Sequence, residues 1–388
     1  MRERVAARTG FGPAMLRRRL ARGNRLHRMP QATPAEFPLR RCIMATKRVT
    51  IQDVARAARV HASTVSRALN PHARALVTPA VAERVRAVAG RLGYVPDPVA
   101  AGLRTRRTAT VGVLIPDLAN PVFPPILRGI ESALFEAGYT AIIANTDNDP
   151  DRACQALERL AARRVDGMIL ATVTHGDPLV ARCRKLGLPV VLVNRGGDAG
   201  SASSVTNDDM RGIAAAVEHL VGLGHRRIVH VSGPRGLSTG AARRASFLAA
   251  LRAHGLEAGD ALIAEAASYS IAAGIPAAAT LLDRHPDLTA IVAANDLLAL
   301  GCYDELARRG RTCPRDVSVT GYNDMPFADR FAPPLTTVRI AHRAMGVEVA
   351  RVLLAEIASA RARRQQIRLE PELVVRGSTA PPRQRGQQ

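Results

Sequence analysis

The stretch "VTIQDVARAARVHASTVSRALN", Val49 to Asn70, places two short amphipathic helices almost end to end. Thr50 can cap the first, with Asp53 three residues on as its capping-box partner. Ile51, Val54, Ala55 and Ala58 then form one apolar stripe at i, i+3, i+4 and i+7. After the break Arg59-Val60-His61, a second helix from about Ala62 to Leu69 turns Val65, Ala68 and Leu69 inward. Its other face is Ser63, Thr64, Ser66 and Arg67. Helices this short cannot stand alone. A face of small hydroxyls and one guanidinium suits a DNA groove, where hydroxyls meet phosphates and arginine forks onto guanine. The competing reading is an ordinary helical hairpin with a solvated face.

Charge favours the groove. The formal net charge is +22 over 388 residues. Residues 1–46 carry eleven arginines against Glu3 and Glu36, a net of +9, and residues 47–107 carry another +9. The remaining 281 residues carry only +4, so a polyanion-binding module precedes a near-neutral body. Residues 1–46 read as a disordered basic leader, a product of start-site choice, because they show neither period nor secretory signal. Residues 47–95 form the helical module. Its third helix starts at Thr78-Pro79, carries a stripe of Val81, Val85, Val88 and Leu92, and stops at Gly93. Residues 96–107, with Pro96, Pro98 and a short helical run, form a hinge.

From Thr110 the pattern changes. "TVGVLIP", "YTAIIAN", "VDGMILA", "PVVLVN" and "SSVTND" are apolar runs, four of them separated by helical segments. "RIVHVSG", "ALIAEA", "AIVAAN", "VSVTGYND" and "TTVRI" repeat the theme. Continuous apolar strands alternating with helices predict parallel sheets covered on both faces. Two series in tandem predict two doubly wound parallel-sheet lobes within residues 108–380. The first is about 108–205 with 340–372, the second about 206–339 with 373–380; residues 381–388 are a tail. Ligands bind at the carboxyl ends of such strands. Here those ends read Asp117, Asn145/Asp147, Asn194/Arg195, Asn295/Asp296 and Asn323/Asp324, a ring of amides and carboxylates without a nucleophile–base pair. There is no GxSxG, HExxH or P-loop, so no enzyme is expected. The five cysteines never form a CxxC pair, which argues against a structural zinc site. No metal or cofactor is expected. No apolar run approaches the roughly 18 residues that cross a membrane.

From about residue 47 to residue 380 the chain resembles the LacI/GalR (lactose-repressor) family of bacterial transcription factors. The resemblance rests on the opening stretch and, in order, on "RLGYVPDPVAAGLRT", "VGVLIPDLANPVF", "RRVDGMILA", "AANDLLALG", "VSVTGYNDMPFADRFAPPLTTVR" and "PELVVRGSTAPP". It implies an all-α helix-turn-helix head, a hinge helix and a two-lobed α/β body like a periplasmic binding protein. It also implies a cytoplasmic, nucleoid-associated homodimer on a pseudo-palindromic operator of double-stranded DNA. Its effector would be a small sugar or sugar acid. Position by position, Ala62, Ser63 and Arg67 fall where the family reads bases. Thr64 and Ser66 face the phosphates, with Thr50 at the head's DNA side. Leu103 falls on the hinge leucine that wedges into the minor groove. Asn120, Phe123, Asn194, Arg243, Asn295 and Asn323 fall at or beside effector-contacting positions, with Arg244 the rival of Arg243. Arg59 stands where the family has a turn glycine, and His61 where it has a capping serine. A periplasmic-type sugar-binding receptor is the alternative; the basic head and the lack of a secretory signal count against it.

Overall fold

The computed structural model describes residues 49–69, 76–95, 107–174, 176–197, 200–359 and 363–383. The leader and Leu103 lie outside the described residues, as does all of the hinge but Arg107. The chain divides into two units, Met1–Pro96 and Asp97–Gln388.

In the first unit, α1 (Ile51–Ala58) begins with the expected capping box: Asp53 N–H donates to Thr50 Oγ1, and Thr50 N–H donates to Asp53 Oδ2 at 2.9 Å. Arg59 ends the helix in the left-handed region, φ 51° and ψ 51°. A residue with a Cβ costs about 1 kcal/mol there relative to glycine. His61 opens α2 (Ala62–Leu69) with its ring: Nδ1 accepts the Ser63 N–H at 3.2 Å. An imidazole thus satisfies a first-turn amide that the family's serine would serve.

Helix α3 (Pro79–Leu92) departs from expectation. Its buried face is Ala82, Val85, Val88 and Ala89, whereas Val81 is half-buried and Leu92 is 38% exposed. Thr78 makes no side-chain cap. The reason is size. Among the described residues the buried core of the head is nine Val and Ala side chains, with larger ones such as Ile51, Leu69 and Tyr94 packed partly buried around it. Three short helices bring small side chains to the centre of that core and larger ones to its edge.

The second unit holds two six-stranded sheets. The first has the order β11-β5-β4-β3-β1-β2. It comprises β1 (Thr110–Ile115), β2 (Thr140–Asn145), β3 (Gly167–Leu170), β4 (Val190–Val193), β5 (Ser203–Asn207) and β11 (Gln366–Leu369). All its pairs are parallel. The second has the order β12-β10-β9-β8-β6-β7. It comprises β6 (Ile228–Ser232), β7 (Ile263–Glu265), β8 (Ala290–Ala293), β9 (Ser318–Asn323), β10 (Thr336–Arg339) and β12 (Glu372–Val374). Only β12 runs antiparallel, against β10. The ten strands expected from sequence are all present; β11 and β12 are additional edge strands.

Connections decide where the site lies. In the first lobe α4 (Phe123–Glu136), α5 (Pro150–Ala162) and α6 (Pro178–Lys185) link the strands. The chain leaves that lobe after β5 into α7 (Asp209–Gly222), which packs on α8 (Ser238–Ala253) and against β10 and β12. It returns after β10 into α11 (His342–Ala358), which packs on α4 and on β3, β4 and β5. Here Gly129 and Gly346 let two backbones touch: a Cβ on Gly346 would lie 2.0 Å from the Ile126 carbonyl oxygen. A third crossing separates β11 from β12. Helices α9 (Ile271–Arg284) and α10 (Asp296–Arg308) complete the second lobe. Three crossings leave the carboxyl ends of both sheets facing one inter-lobe space.

Candidate functional site

That space narrows to a cavity of about 30 Å³ lined by Asn120, Val122, Phe123, Asn194, Arg195, Thr239, Arg243, Tyr269, Asn295 and Asn323. All six cleft residues named from sequence are brought together there. The first lobe supplies Asn120 and Phe123 from the β1–α4 turn and Asn194 from the end of β4. The second supplies Arg243 from α8, Asn295 from the end of β8 and Asn323 from the end of β9. Sequence reasoning missed Val122, Thr239 and Tyr269, and it placed Arg195 at a strand end without choosing it as a contact. Tyr269 sits in an irregular loop and gave no signal.

Much of the lining is already engaged. Asn295 Oδ1 accepts the Leu298 N–H at 2.8 Å and so caps α10, leaving its amide nitrogen for other partners. Asn120 Oδ1 accepts the Val122 N–H at 3.2 Å. Tyr269 donates to Thr239 Oγ1 at 3.1 Å, and burial raises its pKa above the ordinary phenol value. Phe123 serves two ends, since its ring also belongs to the hydrophobic core. Asn194 and Asn323 adopt positive φ, 63° and 111°, at strand ends. The Asn194 Oδ1 is buried without a partner among the described residues.

Arg243 is the most constrained. Only 3% exposed, it donates from Nε to Asp209 Oδ1 at 2.9 Å and from Nη1 to the Ala294 carbonyl at 2.6 Å. Its guanidinium carbon lies 3.8 Å from the centre of the Tyr322 ring. Burial opposes its charge, but Asp209 and the nearby phenols outweigh burial and raise its pKa above the ordinary arginine value. Arg244, the rival, pairs with Asp260 and does not line the cavity. Arg195 is 6% exposed and donates from Nη2 to Asn148 Oδ1 at 3.3 Å; burial pushes its pKa down to about 10.

On the head, Arg67 is exposed on α2, and Ala62, Ser63, Thr64 and Ser66 are half-buried beside it. The Ser63 hydroxyl lies 2.8 Å from His61 Nδ1, and the Thr50 hydroxyl donates to Asp53 at 2.7 Å. Both are held within the head. Among the described residues no group of three or more His, Cys, Asp or Glu could hold a metal ion, and no helix is long and apolar enough to cross a membrane.

A helix-turn-helix module followed by a two-lobed body with a polar inter-lobe cavity defines a class, the ligand-responsive DNA-binding transcriptional regulators. Residues 50–97 match the family of bacterial regulatory proteins called the lacI family, and residues 108–375 match the periplasmic binding proteins and sugar-binding domain of the LacI family. The chain belongs to the LacI family. It is 34% identical to the HTH-type transcriptional regulator CelR of Thermobifida fusca over 343 residues, 86% of this chain and 98% of that protein. It is 31% identical to the ribose operon repressor of Escherichia coli (strain K12) over 330 residues, 85% of this chain and 99% of that protein. Among solved structures, the lac repressor dimer bound to operator and the anti-inducer ONPF aligns with a TM-score of 0.76 and 26% identity. That match covers 86% of this chain and all of that one.

Proposed function

We propose that the protein is a repressor that binds a pseudo-palindromic operator as a homodimer and is switched by a small sugar or sugar acid between its lobes. It acts in the bacterial cytoplasm on nucleoid DNA and catalyses no reaction. The observation that carries this reading is the lining of the cavity: four asparagines, a threonine, a tyrosine and two arginines, contributed by both lobes. Amides and hydroxyls recognise a polyhydroxylated ligand, and a site shared by two lobes makes its occupancy report on their angle. The lac repressor relative supplies the precedent for operator and dimer, and the ribose operon repressor for a sugar operon. In the head, Arg67, Ser63 and Ala62 read bases and Thr64, Ser66 and Thr50 meet phosphates.

Ligand pockets usually measure roughly 300–1,000 Å³. A cavity of about 30 Å³ holds little more than water, so a sugar enters only when the lobes part. Binding and lobe angle are thereby linked. The test is selection of the bound sequence from random duplex DNA by the full-length protein, followed by operator titration with a panel of sugars and sugar acids. Selected sites with two-fold symmetry, and an affinity changed at least tenfold by one panel member, are expected. Asymmetric sites, or indifference to every member, would overturn the proposal.

A further inference from the structure

Two arginines line the inter-lobe cavity, and their charges are treated differently. Asp209 neutralises Arg243 at 2.9 Å. Arg195 has no carboxylate within ion-pair distance among the described residues. One hydrogen bond, to the neutral Asn148 side chain, is its only side-chain contact of that kind there. A guanidinium presents five N–H donors, so most of those of Arg195, itself only 6% exposed, are unspent among the described residues. Its lowered pKa has the same origin, burial that the nearby Tyr269 offsets only in part. Burying an uncompensated cation is costly, and folded proteins pair such groups.

Arg195 also lines a second cavity of about 110 Å³, walled by the first lobe except for Leu237. Thr172, whose buried hydroxyl has no partner among the described residues, lines that second chamber. Two carboxylates line it as well, and both are committed to helix starts. Asp149 accepts the Asp151 and Arg152 amides at the start of α5, and Asp177 accepts the Leu179 amide at the start of α6. Their charge is held by those helix N-termini. The unspent Arg195 cation and the unspent Thr172 hydroxyl thus line one chamber.

We propose that the effector carries a negative charge, a carboxylate or phosphate on a polyhydroxylated frame, and that Arg195 and Thr172 receive the charged group while the asparagines hold the frame. This rests on the reading of the cavity as the effector site and adds the ligand's charge to it. Neutral hydroxyls would accept hydrogen bonds from Arg195 and leave its charge uncompensated. An anion supplies both, and bonds to charged groups are the stronger kind.

The test uses the full-length protein and two matched sets of probes: D-glucose, D-gluconate and D-glucose 6-phosphate, then D-ribose, D-ribonate and D-ribose 5-phosphate. Calorimetric titration should find a charged member binding roughly tenfold or more tighter than its neutral parent. The carboxylate and phosphate arms tell the two sources of charge apart. Arg195→Gln should bring charged and neutral members within about threefold of each other, whereas Arg195→Lys keeps the preference. Without ligand, Arg195→Gln should raise the melting temperature by about 2 °C or more; a merely structural arginine would lower it on removal. A neutral parent that binds the wild-type protein as tightly as its charged relatives overturns the inference and leaves the sugar-sensing function standing. So does a charge preference that survives Arg195→Gln. Binding by no member of either set overturns the sugar-site reading itself, and this inference with it.

Discussion

Arg243→Ala separates what the arginine does for the fold from what it does for a ligand. In the native body the guanidinium is 3% exposed, and its partner Asp209 is 12% exposed. Truncation leaves a carboxylate in a nearly dry site without its cation, which costs about 3–5 kcal/mol. The stack on the Tyr322 ring adds about 1–2 kcal/mol when desolvated, part of it already within that figure. Against a total stability of about 5–15 kcal/mol, the variant should lose roughly 6–20 °C of melting temperature. The double variant Arg243→Ala/Asp209→Ala removes both charges and should recover part of the loss, with a coupling of about 1–3 kcal/mol across the cycle. Urea unfolding of the four proteins measures it. At temperatures where Arg243→Ala remains folded, its operator affinity should respond to the cognate effector at least tenfold less than wild type. Two results would sink the reasoning: a destabilisation below 1 kcal/mol, or costs that simply add. The first would mean that Asp209 is hydrated in solution, and the second that the pair does not interact.

Arg67→Ala should relax base preference by roughly 1–3 kcal/mol, whereas Thr64→Ala should weaken all sequences evenly. Operator and random-duplex titrations at matched salt decide, and equal losses on both DNAs from Arg67→Ala would remove the base contact. Arg59→Gly should stabilise the head by about 0.5–1 kcal/mol, since φ 51° strains a residue with a Cβ. Thermal melts that show a loss would refute that. Burial raises the Asp296 pKa from 3.8 to about 7, so its folded state holds a proton that the unfolded chain releases. Stability from this residue is therefore full below about pH 4 and lost as pH rises through 7. Asp296→Asn removes the titrating group and should abolish that decline, its amide oxygen still able to accept the Met325 N–H that Asp296 accepts at 2.7 Å. Melts of both proteins from pH 4 to 8 should diverge by roughly 2–4 kcal/mol; a constant difference across that range counts against it.

The parallel lobes were legible because most of their strands are apolar runs that need cover on both faces, and the Ser- and Thr-rich β5 and β10 fall in the same series. The two edge strands were not. Gln366–Leu369 and Glu372–Val374 are four and three residues long and carry Arg368 and Glu372, and short charged segments of this kind give no period to read. In α3 the expected stripe holds at Val85 and Val88, with Val81 partly buried against the core, but Leu92 is exposed and Ala82 and Ala89 join the buried face instead. The cavity shows the same division. Asn295 and Asn323 follow strands and so declare themselves. The Arg243–Asp209 pair joins α8 to the start of α7, a contact created only when the chain crosses between lobes, and no local pattern encodes it.

The internal satisfaction of the cavity sets how a ligand can act. Asn120, Asn295, Tyr269 and Arg243 all have partners in the closed body, so a ligand gains from them only what exceeds those bonds. The Asn194 oxygen, the Thr172 hydroxyl and the Arg195 guanidinium have the most to gain. All three belong to the first lobe. A ligand anchored there must still reach the second lobe's amides to favour one lobe angle over another, because equal affinity for both angles shifts nothing. The opening needed to admit it subtracts from affinity, in proportion to how rarely the open state is populated. Specificity and switching therefore fall on different walls: the first lobe selects the ligand by charge, and the second converts its presence into a change of angle.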